Sequence, residues 1–98
     1  MEIRFHPSAI SDARKIYQYY SDISHELGDA FWHELEQFIE KARLHPTKNH
    51  FDLLGNDLRR SNLKKFPINF LYRILEGQIR ITTVRHDKSK PSYGLRRK

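Results

Sequence analysis

The sequence has no cysteine, which excludes a disulfide framework and any thiolate metal site and leaves stability to packing. Its four glycines are widely separated, so no glycine-rich loop is available to cradle a phosphate chain. No apolar run approaches the roughly 18 residues that a membrane span requires. The opening stretch MEIRFHPSAISDARK carries patterned residues at once, without a charged and then apolar leader. A cytoplasmic protein that does not engage a membrane is expected. The histidines His6, His25, His33, His45, His50 and His86 are scattered, and no two stand four apart where a helix would present both to one metal. Neither a metal nor any other cofactor is expected, and without a Gly-x-Ser-x-Gly elbow a serine hydrolase has no support either.

What is present suffices for one core. With 98 residues, 38% hydrophobic and 12% aromatic, the chain is expected to form a single domain over 1–98 with two packed layers, ending in a basic tail at 87–98. Acidic residues are sorted sharply along it. Residues 1–58 hold 6 Lys/Arg against 10 Asp/Glu, a balance of −4, whereas residues 59–98 hold 12 against 2, a balance of +10. Solubility alone does not require such sorting, and a field of this kind concentrates anionic partners at one half of the molecule.

The apolar pattern gives the order of elements. Residues 2–6 alternate as a short strand that Pro7 stops. From Ser8, Ile10, Ala13, Tyr17 and Tyr20 recur at helical spacing, widened by Ile16 and Ile23, so a first helix is expected to about His25. Gly28 is read as the break and Asp29 as the cap of a second helix, whose stripe is Ala30, Phe31, Leu35, Phe38 and Ala42, ending near Leu44 before His45-Pro46. Tyr19 and Trp32, at the stripe edges, are candidates for exposed contacts. Turn residues around Pro46 and Gly55 then lead to a strand near 57–63, followed by PINFLYRIL and QIRITTVRH joined through Glu76-Gly77, a hairpin whose glycine can take positive φ. The expected fold is α+β: a β-α-α-β-β-β chain with a helical hairpin packed on one face of a mostly antiparallel sheet.

Parity assigns the faces. Ile68, Phe70, Tyr72 and Ile74 form the core wall, and Asn69, Leu71, Arg73 and Leu75 face the other way. That second face mixes apolar and cationic residues, which predicts cover from a partner or from the tail. Ile79 and Ile81 share a face while Val84 falls on the other, so a bulge or twist is expected near Thr82 and Thr83.

Chemistry on the basic half would most demandingly be RNA cleavage, which needs an acid, a base and fixed cations for the phosphate. His86 and Tyr93 are candidate proton carriers, and Arg60, Lys64, Lys65 and Arg85 are candidate phosphate ligands. No spacing among them is diagnostic, and the alternative is that His86 bonds locally at a strand end while Tyr93 pins the tail.

Several of these features together resemble one family. The β-α-α order, the Tyr-rich first helix ending at Gly28, His45-Pro46, Arg59 or Arg60 followed by FPINFLYRI, and the ending TTVRHDKSKPSYGLRR are similar to the RelE/ParE superfamily of toxins from bacterial toxin–antitoxin modules. They are closer to its ParE-like branch, once called plasmid stabilisation proteins. Phe66, Pro67, Tyr72, Arg73, His86, Pro91, Tyr93 and Arg97 sit at positions resembling the family motifs, and the likeness spans nearly the whole chain. One departure is Gly94, where the family often has a tryptophan.

The resemblance implies a type II toxin silenced by a cognate antitoxin in a heteromeric complex. ParE-like members are regarded as inhibitors of DNA gyrase without a nuclease site, and that is the expected activity. RelE-like members cut mRNA on the ribosome, an alternative that would use Arg60, Lys64, Arg85, His86 and Tyr93. A further alternative is an inert remnant that binds antitoxin only. Antitoxin or target is expected to meet Leu71, Arg73, Leu75, Arg80, Arg96 and Arg97.

Overall fold

Pro7 ends the first strand and begins the first helix, because it has no N–H to donate to a ladder and needs none at a helix start. The computed structural model describes residues Met1–Lys98. Strand β1 (Glu2–Phe5) runs into helix α1 (Pro7–Ile23), with His6 Nδ1 accepting the Ser8 N–H at 3.0 Å as the cap. Helix α2 (His25–Leu44) follows after a single extended residue, Ser24, whose φ is −158° and whose hydroxyl accepts the Leu27 N–H at 3.1 Å.

The helix break therefore lies four residues before the expected one. Gly28 breaks nothing: it is buried inside α2, where an added Cβ would stand 2.0 Å from Ser21 Oγ and 3.0 Å from Ser21 Cα. Its role is close approach of the two helices, which the sequence pattern alone could not separate from chain breaking. The buried faces also differ in detail from the expected stripes. Ala9, Asp12 and Ala13 are buried on α1, while Ile10 and Ile23 are exposed. On α2 the buried residues include Phe31, Leu35 and Ala42, and Ala30 is exposed.

Strands β2 (Arg59–Asn62), β3 (Ile68–Leu75) and β4 (Gln78–His86) complete one sheet in the order β1-β4-β3-β2. β1 is parallel to β4 and the other pairs are antiparallel, so the sheet is mixed. The parallel pair follows from the helical hairpin: a chain that crosses over through two helices can return in the same direction. Glu76 and Gly77 both take positive φ, 49° and 75°, the combination that suits a two-residue turn to the twist of its strands.

The anticipated bulge is present. Tyr72 pairs with Ile81 and Leu71 with Thr83, leaving Thr82 as the inserted residue. That insertion returns Val84 to the helix-covered face, where it joins Ile68, Phe70, Tyr72, Ile79, Ile81, Phe31, Leu35 and Phe66 in one cluster. Tyr20, Phe31 and Phe66 meet with ring centroids 4.9, 5.6 and 5.7 Å apart. Each buried phenylalanine contributes about 1.5–3 kcal/mol by removal from water.

Candidate functional site

The second face of the sheet is closed by the chain's own tail. Residues 87–98 descend in successive turns, with Ser89 N bonded to His86 O, Tyr93 N to Lys90 O and Arg97 N to Gly94 O. They press closest at Gly94, whose φ is +82° and where an added Cβ would lie 2.2 Å from Thr83 Oγ1. The departure from the family's tryptophan is thus a fitted contact: only glycine lets the tail lie against β4, and Thr83 Oγ1 donates to Gly94 O at 3.3 Å. Thr83 is the register partner of Leu71, and Leu71 is fully buried. Of the two covers expected over Leu71, Arg73 and Leu75, a partner or the tail, the structure has the tail, and only Leu75, at the strand end, is exposed.

The arginines of the basic half hold this cover in place. Arg85, 5% exposed, donates to Asn69 Oδ1 at 3.1 Å, to the carbonyls of Pro91 and Tyr93 at 3.0 Å each, and to Asp52 Oδ1 at 3.2 Å. Burial lowers its pKa, and the Asp52 carboxylate works against that shift. Arg73 bonds Asp57 at 3.1 Å and the Arg97 carbonyl at 2.9 Å, and Arg80 bonds the main-chain oxygen of Lys98. Arg60 lies between Asn62, Asp87 and Asp52. A fork of planar donors suits such multiple acceptance better than a lysine ammonium does.

At the outer edge of β4 the tail reaches around to α1. β1 pairs with β4 only as far as Ile81, so the strand edge beyond it lacks a neighbour. Asp12 supplies one: its Oδ2 accepts the Val84 N–H at 3.1 Å and Arg97 Nη1 at 2.5 Å, while its Oδ1 accepts the Tyr93 hydroxyl at 2.7 Å. Arg97 also donates to the Thr82 carbonyl at 3.1 Å, and its guanidinium lies 4.9 Å from the Tyr93 ring centroid. The hydrogen bond to Asp12 raises the pKa of Tyr93, with partial burial adding to it. Burial disfavours the charge on Arg97, but Asp12 and Tyr93 outweigh it and the net shift is upward.

Measured against the sequence expectations, this arrangement brings Arg60, Arg85 and the tail together and leaves the other nuclease candidates apart. His86 pairs with Ile68 on the helix-covered side, where it lines a hollow with Lys15 and Tyr19; its Nδ1 accepts the Lys88 N–H at 3.0 Å. Lys64 is exposed beyond the end of β2. Arg96 is exposed, whereas Arg73, Arg80 and Arg97 face the tail or Asp12. Of the candidate exposed aromatics, Tyr19 is 64% and Trp32 36% exposed.

Three residues essential to this geometry were not singled out from the sequence. Asp12 interrupts the buried stripe between Ala9 and Ala13, a signal that was available. Asp52 sits in a loop and carries none. Glu34, buried on α2, accepts the Lys65 N–H at 3.0 Å and fixes the turn between β2 and β3. The loop before β2 also presents Phe51, Leu53 and Leu54 to solvent, with Leu53 100% exposed, beside a cleft of about 520 Å³ bordered by Arg60 and Pro91.

Comparison with known proteins agrees with this layout. The sequence pattern described as ParE toxin of type II toxin-antitoxin system, parDE, matches residues 3–91. Among solved structures, a chain from the chromosomal ParDE TA system from P. aeruginosa is similar at a TM-score of 0.75 and 17% identity, covering 88% of this chain and 95% of that one. At that identity the likeness is one of fold. No curated protein matches the sequence.

Proposed function

Because the chain belongs to the ParE toxin family and is the toxin component of a type II toxin–antitoxin system, with a cognate antitoxin as partner, we propose that it inhibits DNA gyrase in the cytoplasm by binding and not by cutting RNA. The observation that carries the second half of this reading is the closure of the Arg85 guanidinium, whose bonds go to Asn69, Asp52 and two tail carbonyls. A phosphate-clamping arginine must offer its donors to the substrate. The Tyr93 hydroxyl is likewise engaged by Asp12, and His86 stands on the opposite side of the sheet from Arg85. Acid, base and cation therefore do not converge, as general acid–base cleavage requires.

The test is controlled induction of the chain in growing cells, with mRNA ends and plasmid supercoiling mapped in the same samples. Altered supercoiling or DNA breaks with intact mRNA is the expected result, and His86→Ala should keep full toxicity. Codon-phased mRNA cuts with normal supercoiling would instead establish a ribosome-dependent endoribonuclease, in which His86→Ala loses about 10²–10⁴-fold in cleavage. Growth without any effect would identify an inert antitoxin-binding remnant.

A further inference from the structure

The sheet has two edges, and the chain covers only one of them. Outside β2, residues 50–52 run alongside: Arg60 N donates to His50 O at 3.0 Å, Asp52 N to Leu58 O at 2.7 Å, and Phe51 bridges to Arg59. Outside β1 there is no strand, since β4 is its only neighbour. His6 N donates to Ile81 O at 2.8 Å, so with the strand period of two Glu2 and Arg4 also turn their main-chain groups to β4. Ile3 and Phe5 therefore turn theirs outward, where no other element bonds them.

An uncovered edge is a template for another strand, commonly blunted by a proline, a bulge or an inward-pointing charge. β1 has none of these: its residues EIRF run in unbroken register with β4, Ile3 packs on the core, and Phe5 lines a hollow with Ala9, Ile10 and Trp32. On the tail side of the sheet the register partners Arg4, Arg80 and Arg73 form a row of like charge. Arg80 is offset by the main-chain oxygen of Lys98 and Arg73 by Asp57, but Arg4 forms no ion pair in its own chain. That charge deters an arbitrary strand and selects one with an acid opposite. Glu2 accepts one bond, from Gln78 Nε2 at 3.0 Å, and its carboxylate has further acceptor positions.

We propose that β1 is a self-association edge, pairing antiparallel with β1 of a second copy of this chain about a two-fold axis at Ile3. Such pairing sets residues with outward main-chain groups opposite one another, so only Ile3 or Phe5 can lie on the axis. Centring on Phe5 would set Ile3 against Pro7, which has no N–H to give. Centred on Ile3, the two copies of that residue exchange both main-chain bonds, and Phe5 stands opposite the partner's Met1. Glu2 then faces the partner's Arg4, and Arg4 the partner's Glu2, in the close positions where cross-strand side chains interact most. The strand is thus complementary to itself in charge, and Met1 and Phe5, both exposed in the single chain, cover each other on the helix side. The gyrase reading does not bear on this edge.

The test is sedimentation equilibrium of the full chain at concentrations up to about 1 mM, with charge swaps at the two exposed positions. A concentration-dependent dimer is expected. Glu2→Arg or Arg4→Glu alone should weaken it roughly 30-fold, because both symmetric pairs turn from attraction to repulsion. Mixing the two variants should restore association as a heterodimer, since each presents the charge that the other lacks, and recovery on mixing shows that both variants are folded. Amide exchange at Ile3 and Phe5 should slow as concentration rises, with Leu53 and Leu54 unchanged. A chain that stays monomeric at about 1 mM, a dimer that neither swap weakens, a mixture that does not recover, or protection that rises at residues 51–54 instead would overturn the interface.

Discussion

On the helix-covered face of the sheet, Ile68, Phe70, Tyr72, Ile79 and Ile81 meet Phe31, Leu35, Ala9 and Ala13 in continuous apolar contact. On the opposite face the cover is a tail held at Thr83, Arg73, Arg80 and Arg85 by hydrogen bonds to its carbonyls, and tied across the strand edge by Asp12. The first cover is non-directional and cooperative. The second consists of a few directional bonds, each contributing about 0.5–3 kcal/mol net, so the tail is the part of the fold that should open locally before the rest. The contrast also explains why the positive half of the sequence is not a free positive surface. Much of its arginine is turned inward, against main-chain oxygens and four aspartates.

The comparison can be broken first on the apolar side. Phe70→Ala should cost about 3–5 kcal/mol in a denaturant titration, because its cavity lies where neither cover can collapse into it; a cost near that of a surface mutation would mean the helix face is not the dominant seal. Arg85→Met should cost about 3 kcal/mol, by leaving the Asp52 carboxylate with only the more distant Arg60 as its cation and two tail carbonyls without a donor. Asp12→Ala should cost about 2 kcal/mol, since the Val84 N–H loses its acceptor and Arg97 loses its carboxylate, keeping only the Thr82 carbonyl and the Tyr93 hydroxyl. Its sharper readout is hydrogen exchange: tail amides should lose protection while those of α2 keep theirs, and uniform loss would deny the tail any separate stability.

The alkaline limit sharpens the same contrast. Tyr93 and Tyr72 both have pKa values raised above the ordinary 10.0, Tyr93 chiefly by its hydrogen bond to Asp12 and Tyr72 chiefly by burial. A raised folded value means that their contribution is complete below about pH 10 and is lost as pH rises through the folded values. Tail protection should therefore fall in alkali, and Tyr93→Phe should remove that step while leaving the one due to Tyr72. The smallest effect is a gain. Glu76 occupies φ 49° beside Gly77, and Glu76→Asn should stabilise the hairpin by up to about 1 kcal/mol, measured by thermal unfolding.

Much of the fold was legible because it is periodic. β3 and β4 fall within a residue of the expected strands, α2 ends at Leu44 as expected, and Val84 out of phase with Ile79 and Ile81 signalled the bulge at Thr82. The helix junction was misplaced because glycine serves both as a breaker and as a close-contact residue, and Ser24 gave a weaker signal than Gly28. The candidate site was less legible. Arg60, Arg73, Arg85 and Arg97 could be picked out by charge, but their partners are carbonyls and aspartates up to 85 residues away along the chain, which no local pattern reveals.

By itself the sequence determined the order of elements, the buried side of β3 and the sorting of charge, since each follows from the spacing or count of residue types along the chain. The tertiary structure decided what that charge is for. Whether an arginine meets a partner or its own backbone depends on where residues 87–98 come to rest. That path is set by Gly94 against Thr83 and by Asp12 at the open edge of β4, contacts between segments far apart in the chain, which burial and geometry select and composition cannot encode.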